Sequence, residues 1–299
     1  MEHFDLGIAW NWEPDNEFVE GLHNEALGRG LKPYLLHAYN FYSSLKDIAE
    51  SNIYFRFFLN RTNENDSAFN GLSNFLMRKN IAVINRPDIA RRSEDKFLMH
   101  AEFKKNNIPV PETFFLMPGD DNCVLEAKIK NLSKPFVLKP AAGSCGDGVV
   151  LGAKSVEDIL QLRRTHGDIP YLAQERIFPE DLKNKPAWFR VFCCHGKITP
   201  CWWHPETHAY RVLERNEMDR FELSRLFRIA EQIISVCKLD FFTTEIAVDG
   251  KGDFFVIDYA NDQPDMRKQS KFKDGVPDRI VDGVIADIVS FVKMAENNQ

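Results

Sequence analysis

The chain has 299 residues, enough to bury a large core and to form two or three packed units. Its 44 acidic and 38 basic side chains leave a formal net charge of −6, and no dense basic run interrupts that balance, which speaks against a nucleic-acid partner. No apolar run approaches the roughly 18–20 residues of a membrane span, and the opening MEHFDLGIAW lacks the basic-then-apolar order of a signal peptide.

Residues 1–87 alternate in type. Leu6–Trp10, Lys32–Ala38, Ile53–Leu59 and Ile81–Asn85 read as strands. Between them, Glu17–Leu27, Tyr42–Glu50 and Phe69–Arg78 show helical spacing, the first through Phe18, Val19, Leu22 and Ala26. Alternation with short connections predicts an open parallel α/β layer, with ligands beyond the carboxyl ends of its strands. Asn11, Trp12, Arg61 and Asn85 lie at those ends, where ordinary loop residues are also expected. Beyond Arg91 a helix opens at Asp95-Lys96, and Ile108-Pro109-Val110-Pro111 is extended because each proline excludes its predecessor from the α region. Strand Thr113–Met117 and helix Val124–Leu132 come next. After residue 150 come helix Val156–Arg164, strand or connector Tyr171–Ile177, a hairpin of Trp188–Cys194 with Lys197–Trp203, helix Leu223–Cys237, a second hairpin, and helix Ile280–Met294. The six cysteines form no C-x-x-C and no zinc-like Cys/His set, so they read as reduced thiols of a cytosolic protein; Cys145 stands apart in a glycine loop.

Two stretches carry chemistry. In Pro135–Val150 a buried strand, Phe136–Leu138, brings Lys139 to its end, and a loop of small residues with Gly143, Gly146 and Gly148 comes after it. Such glycines let backbone N–H groups approach an anion closely. The spacing is neither a P-loop nor a dinucleotide fingerprint. Alone, the stretch fits a hairpin of turn glycines as well as a phosphate cradle. In Thr243–Tyr259 two alternating strands flank Asp249-Gly250-Lys251-Gly252, a hairpin turn by composition. If Val248 pairs with Asp253, Glu245 lies opposite Val256 and Asp258 is its diagonal neighbour, with Ile246, Val248, Phe255 and Ile257 on the other face. Two unpaired carboxylates on one largely buried face are costly, which favours a metal or a nearby base over a pair of exposed acids on a surface hairpin, and a hard ion such as Mg²⁺ prefers oxygen ligands.

The order and spacing of these motifs, over roughly Arg91 to Asp265, resemble the ATP-grasp superfamily, whose ligases include ribosomal-protein glutamate ligase, D-alanine–D-alanine ligase and glutathione synthetase. The resemblance implies an α/β fold: an N-terminal parallel α/β domain over residues 1–90, then a two-subdomain ATP-grasp fold over 91–299 with an α+β lid at about 120–175. DKFLMHAEFKKNNIPVPET resembles the Asp-Lys helix and I-P-x-P strand, which maps a nucleotide-phosphate lysine onto Lys96. FVLKPAAGSCGDGVV resembles the second ATP lysine, Lys139, with Gly143, Ser144, Gly146 and Gly148 in its flexible phosphate loop. AQERI resembles the adenine hinge, implying Gln174, Glu175, Arg176 and Ile177, with Glu180 or Asp181 as the ribose acid. WFRVFCCHGK resembles the strand whose arginine, Arg190, faces substrate and phosphate, and Arg211 is the substitute for an arginine–asparagine segment that is not evident. The magnesium hairpin falls on Glu245 and Asp258. Its third ligand, Asn261 or Asp262, departs from the family's acid-x-Asn because Asn261 stands three residues after Asp258. The family likeness further implies an ATP- and Mg²⁺-dependent ligase acting on small-molecule carboxylate and amine substrates, in a homodimer at family level. A kinase on the same fold is the alternative, and a non-catalytic nucleotide module fits less well, since both lysines and both acids are present. Trp202, Trp203, His204, His208 and Tyr210 are proposed for the acceptor side, against a packed hairpin with surface histidines. The polar and basic stretch Pro264–Gly275, with Arg267 and Lys271, reads as a flap or a solvated loop.

Overall fold

The computed structural model describes residues 1–62, 66–143 and 146–296. β1 (Glu2–Trp10), α1 (Asn16–Gly28), β2 (Pro33–Leu36), α2 (Phe41–Ala49), β3 (Ile53–Arg61), α3 (Ser67–Arg78) and β4 (Ala82–Ile84) form a parallel layer with strand order β2-β1-β3-β4. The helical spacing of α1 places Phe18, Val19, Leu22 and Ala26 on its buried face, as the sequence implied.

α4 (Pro87–Glu94) begins where the sequence shows only a strand-ending proline. Pro87 sits in the first turn, where its missing N–H costs nothing. α5 (Lys96–Lys105) is capped by Asp95, whose carboxylate accepts from the Phe97 and Leu98 amides. β5 (Thr113–Leu116), α6 (Asn122–Ile129), β6 (Phe136–Pro140), β7 (Val150–Ala153), α7 (Val156–His166) and β8 (Tyr171–Gln174) then build an antiparallel sheet, order β5-β8-β6-β7, with both helices packed on its Leu116, Phe136 and Leu138 side.

β9 (Trp188–Cys194), β10 (Lys197–Trp203), β11 (Tyr210–Val212), α8 (Arg215–Arg220), α9 (Arg225–Cys237), β12 (Phe241–Val248), β13 (Phe254–Asn261) and α10 (Asp278–Glu296) complete the chain. Their strands form a central antiparallel sheet, order β11-β10-β9-β12-β13. Period-2 alternation gives this sheet two different faces. One face buries Phe189, Val191, Cys193, Trp202, Phe242, Ile246 and Val256 against α5 and α9. The other buries Phe192, Cys194, Cys201, Trp203, Tyr210 and Phe241 against α1, α10 and the parallel layer. Burial pushes the thiols of Cys193, Cys194, Cys201 and Cys237 up, Cys201 to about 12 and Cys237 to about 11, so they are inert packing groups. Cys123 is exposed, and Cys145 lies outside the described residues. Among the described residues no helix is long and apolar enough to cross a membrane.

Two stitches join the parallel layer to the end of β13. Arg61 makes a buried ion pair with Asp15 at 2.9 Å and donates to the Pro264 carbonyl at 2.9 Å. The Asn85 side chain donates to the Phe241 and Asp262 carbonyls and accepts from the Asp240 and Phe241 amides. Both residues therefore satisfy buried backbone groups.

Two histidines set an acid limit on the fold. His100 is buried beside the Tyr259 hydroxyl at 3.0 Å, and His195 stacks on Phe291 with ring centroids 3.6 Å apart. Burial lowers both to about 4, with Lys104 adding to the effect at His100. Each is neutral in the folded chain but takes up a proton near pH 6.5 when unfolded, so stability is full above that pH and is lost as pH falls toward 4. The expected slope is about 1.4 kcal/mol per pH unit for each histidine. Urea unfolding between pH 6.5 and 5 measures it. His195→Asn tolerates the positive φ of 46° at this position and should reduce the slope; an unchanged slope would remove His195 from the account.

Candidate active site

The site begins with an irregularity in the β12–β13 hairpin. Val248 pairs with Phe254, Ala247 with Phe255 and Ile246 with Val256, and then the register shifts so that Glu245 lies directly opposite Asp258. The expected register is therefore corrected: Asp258 is the cross-strand partner of Glu245, not its diagonal neighbour, and Phe255 shares the carboxylate face. The turn, which pairs Val248 with Phe254 and not with Asp253, puts Phe255 on that face, and a bulge at Ile257 then brings Asp258 opposite Glu245. The bulge also turns the Ile257 carbonyl out of the ladder, where it accepts a hydrogen bond from Lys139 Nζ at 2.9 Å.

Lys139 comes from β6, so the small sheet reaches across to the central sheet at this point. Burial lowers the Lys139 ammonium below its ordinary value; Asp258 and Glu245 pull it back up, and Lys96 opposes them. The four charges thus share one region. Lys96, in the first turn of α5, donates to the Gly143 carbonyl at 2.5 Å, and its amide donates to the Ala141 carbonyl. That ties the start of the glycine loop to α5. Gly143, Gly146 and Gly148 all have positive φ, and a Cβ at Gly148 would approach Pro140 to 2.9 Å, so only glycine fits there. Ser144 lies outside the described residues.

Arg190 on β9 faces the same side as Glu245, its register partner on β12. Its guanidinium forms an ion pair with Glu245 Oε1, lies 4.7 Å from the Trp203 ring and comes within 3.5 Å of Thr243 Oγ1. Burial works to lower its charge, and Glu245, Tyr210, Asp258 and Asp265 more than offset that. Arg190 Nε is buried with no hydrogen-bond partner among the described residues, which leaves one donor for an added anion.

Arg211 is not brought to this cluster. It lies opposite Trp202 in the β10–β11 register, on the other face of the sheet from Arg190. There it pairs with Glu217, which also accepts from Lys185 and from the Trp202 indole. Burial pushes the Glu217 carboxyl up, but those partners outweigh it and hold it at about 2. Arg211 and Trp202 are thus parts of a peripheral charge network, because adjacent strand positions point to opposite faces.

The remaining residues divide similarly. The Gln174 side chain is buried and donates to Thr113 Oγ1 and the Tyr259 hydroxyl, which makes it an internal brace. The Glu175 amide donates to Glu112, and Arg176 donates to the Leu151 carbonyl and lies over Phe178. Ile177 is half-buried in the connection from β8 to β9. Main-chain bonds at Glu180 join this connection to Val248 and Ala187. The Asp181 carboxylate turns back to accept from the Asn184 amide. The Asn261 side chain accepts from the Gln263 amide, so its carbonyl oxygen already closes a turn. Trp203 stacks on His208 and tilts against Tyr210, beside Arg190, whereas His204 Nδ1 accepts from the Glu206 and Thr207 amides as a turn residue. Pro264–Gly275 is tied down: Arg267 pairs with Asp265 and Asp274, Lys268 with Asp282 and Lys271 with Glu17. Gly275 is obligatory there, because a Cβ would fall 2.6 Å from the Arg267 carbonyl. The Trp188 indole, which donates to Glu245 Oε2, was missed in the sequence because an apolar strand residue gives no signal of a polar task.

Among the described residues no group of three or more His, Cys, Asp or Glu could hold a metal by itself. Glu245 and Asp258 nevertheless suit a hard ion whose other ligands come from phosphate and water, since Mg²⁺ is commonly held by one or two carboxylates.

An antiparallel lid whose lysine meets paired acids on a central sheet, set behind a parallel layer, is the ATP-grasp fold. An ATP-grasp RimK-domain protein from Sphaerobacter thermophilus has this architecture at 22% identity and TM-score 0.66, covering 95% of this chain and 98% of its own. A Bacillus anthracis D-alanine–D-alanine ligase complexed with ATP matches at 13% identity and TM-score 0.68, over 100% of this chain and 99% of its own. The ATP-grasp ligase PsnB, complexed with a precursor peptide and AMPPNP, matches at 13% identity and TM-score 0.64, over 96% and 99%. More narrowly, residues 93–198 match the family model of the RimK-like ATP-grasp domain, a segment running from the end of α4 into β10. No curated protein matches the chain by sequence.

Proposed function

We propose that the protein is an ATP- and Mg²⁺-dependent ligase that joins a carboxylate to an amine through an acyl phosphate. The observation that carries this reading is the meeting of Lys139 with Glu245 and Asp258, across two sheets, beside Arg190. The matching fold in ATP-grasp ligases supports it. Magnesium, when bound, would neutralise charge on the β- and γ-phosphates. Glu245 and Asp258 would hold that ion. Lys139, Lys96 and the amides of the glycine loop would take up the remaining phosphate charge. The hinge from Gln174 to Ile177 would border adenine with its main chain, and Glu180 would lie nearer the ribose than Asp181, whose carboxylate is committed to its own turn.

In the first step a substrate carboxylate oxygen bonds to the γ-phosphorus and the bond to ADP breaks. In the second, an amine nitrogen bonds to the acyl carbon, phosphate leaves and the nitrogen loses a proton. Arg190 would stabilise the oxyanion formed between bond making and breaking, using the donor it holds in reserve. The lid would exclude water, which otherwise hydrolyses the acyl phosphate. Arg211, on the far face, has no part in these steps. The test pairs amino acids and dipeptides with ATP and Mg²⁺ and tracks ADP release and intact product mass. The expected result is ADP release that needs both an acid and an amine, with a product equal to their sum less water. ADP release with one stable phosphorylated product would make the protein a kinase instead.

A further inference from the structure

Trp188 opens β9, and its register partner on β12 is Ala247, so its indole lies on the face that carries Arg190, Glu245 and Asp258. Its Nε1 donates to Glu245 Oε2 at 3.0 Å, while Arg190 takes Oε1. Each oxygen of this carboxylate is thus held by a different side chain. The two donors are unlike. An indole N–H can only donate, carries no charge and does not titrate in the accessible range, and its bulky ring admits few rotamers. Arg190 is a long cation with a spare donor, free to exchange Glu245 for a substrate anion.

We propose that Trp188 is a positioning residue that fixes the plane of the Glu245 carboxylate for the divalent ion, and keeps it fixed when Arg190 turns to substrate. The inference rests on the reading of Glu245 as a metal ligand. Groups that orient a ligand in this way contribute about 10–100-fold to metal affinity. The arrangement also divides the labour: the charge that meets substrate is not the group that holds the ion's ligand in place.

Calorimetric titration of ADP, with and without Mn²⁺, tests it on the intact protein. Mn²⁺ should tighten ADP binding to the unaltered protein. Trp188→Phe should cut that metal-dependent gain roughly tenfold or more, leave metal-free ADP affinity unchanged, and Trp188→His, which keeps a ring N–H, should recover part of the loss. Trp188→Leu serves if the Phe variant does not fold. An equal metal-dependent gain in the altered and unaltered proteins would overturn the proposal. So would an equal fall in metal-free affinity, which marks a packing role. If the unaltered protein shows no gain from Mn²⁺, the metal reading fails first and this inference with it.

Discussion

Lys139→Met should reduce kcat/KM by roughly 10²–10³-fold while leaving the unfolding midpoint unchanged or raised. The two effects are expected to differ because, on the proposed function, the lysine serves a ligand and not the fold. Its ammonium donates to one carbonyl, that of Ile257, and burial already lowers its pKa despite two nearby acids. A methionine of similar volume removes that desolvation cost and keeps the packing of β6. What it cannot replace is a fixed cation where phosphate charge gathers. Paired measurements of kcat/KM and thermal unfolding check this. Retention of normal turnover would remove Lys139 from the nucleotide site.

Glu245→Ala carries the second large effect, and here stability and activity should fall together. The Arg190 and Glu245 side chains are only 13% and 14% exposed. Truncation leaves a buried guanidinium without its counter-ion and the Trp188 indole without its acceptor. Breaking a buried pair from one side costs about 3–5 kcal/mol, and, if Glu245 holds the metal as proposed, turnover should fall by at least about 10²-fold. Asp258→Asn is the contrast. No side-chain hydrogen bond is made to the Asp258 carboxylate among the described residues, so that variant should lose metal-dependent turnover at a smaller cost in stability. Urea unfolding beside a metal titration separates the two. Equal destabilisation by both would mean that Glu245 is not held as described.

The parallel layer was readable from sequence because its signals are local: period 3.6 in α1, short apolar runs in β1 and β3, and polar turns between them. The acids and lysines of the candidate site stand out in the sequence by type and order. Their geometry was not readable, because the turn sets the register one residue away from Val248 opposite Asp253 and an extra residue at Ile257 shifts it again, so that a diagonal pair becomes a direct one. Arg211 shows a second limit. The family resemblance offered it as the substitute for a missing arginine–asparagine segment, but the strand pleat places it on the opposite face from Arg190, with Glu217. α4 was hidden by Pro87, which can end a strand or begin a helix with the same fixed φ. Trp188 was hidden by its class, since indoles are counted as apolar until an acceptor is found for the N–H.

The stitches at Arg61 and Asn85 bear on how such a cleft can shut. Hydrogen bonds from both residues clamp the parallel layer to the start of β12 and the turn after β13, so these two parts form a single anvil. Lys139 and Gln174 are side chains through which the small sheet holds the bulged hairpin, at the Ile257 carbonyl and the Tyr259 hydroxyl. Any opening between the two sheets would therefore have to part the Lys139–Ile257 and Gln174–Tyr259 hydrogen bonds while the hairpin stays fastened to the parallel layer.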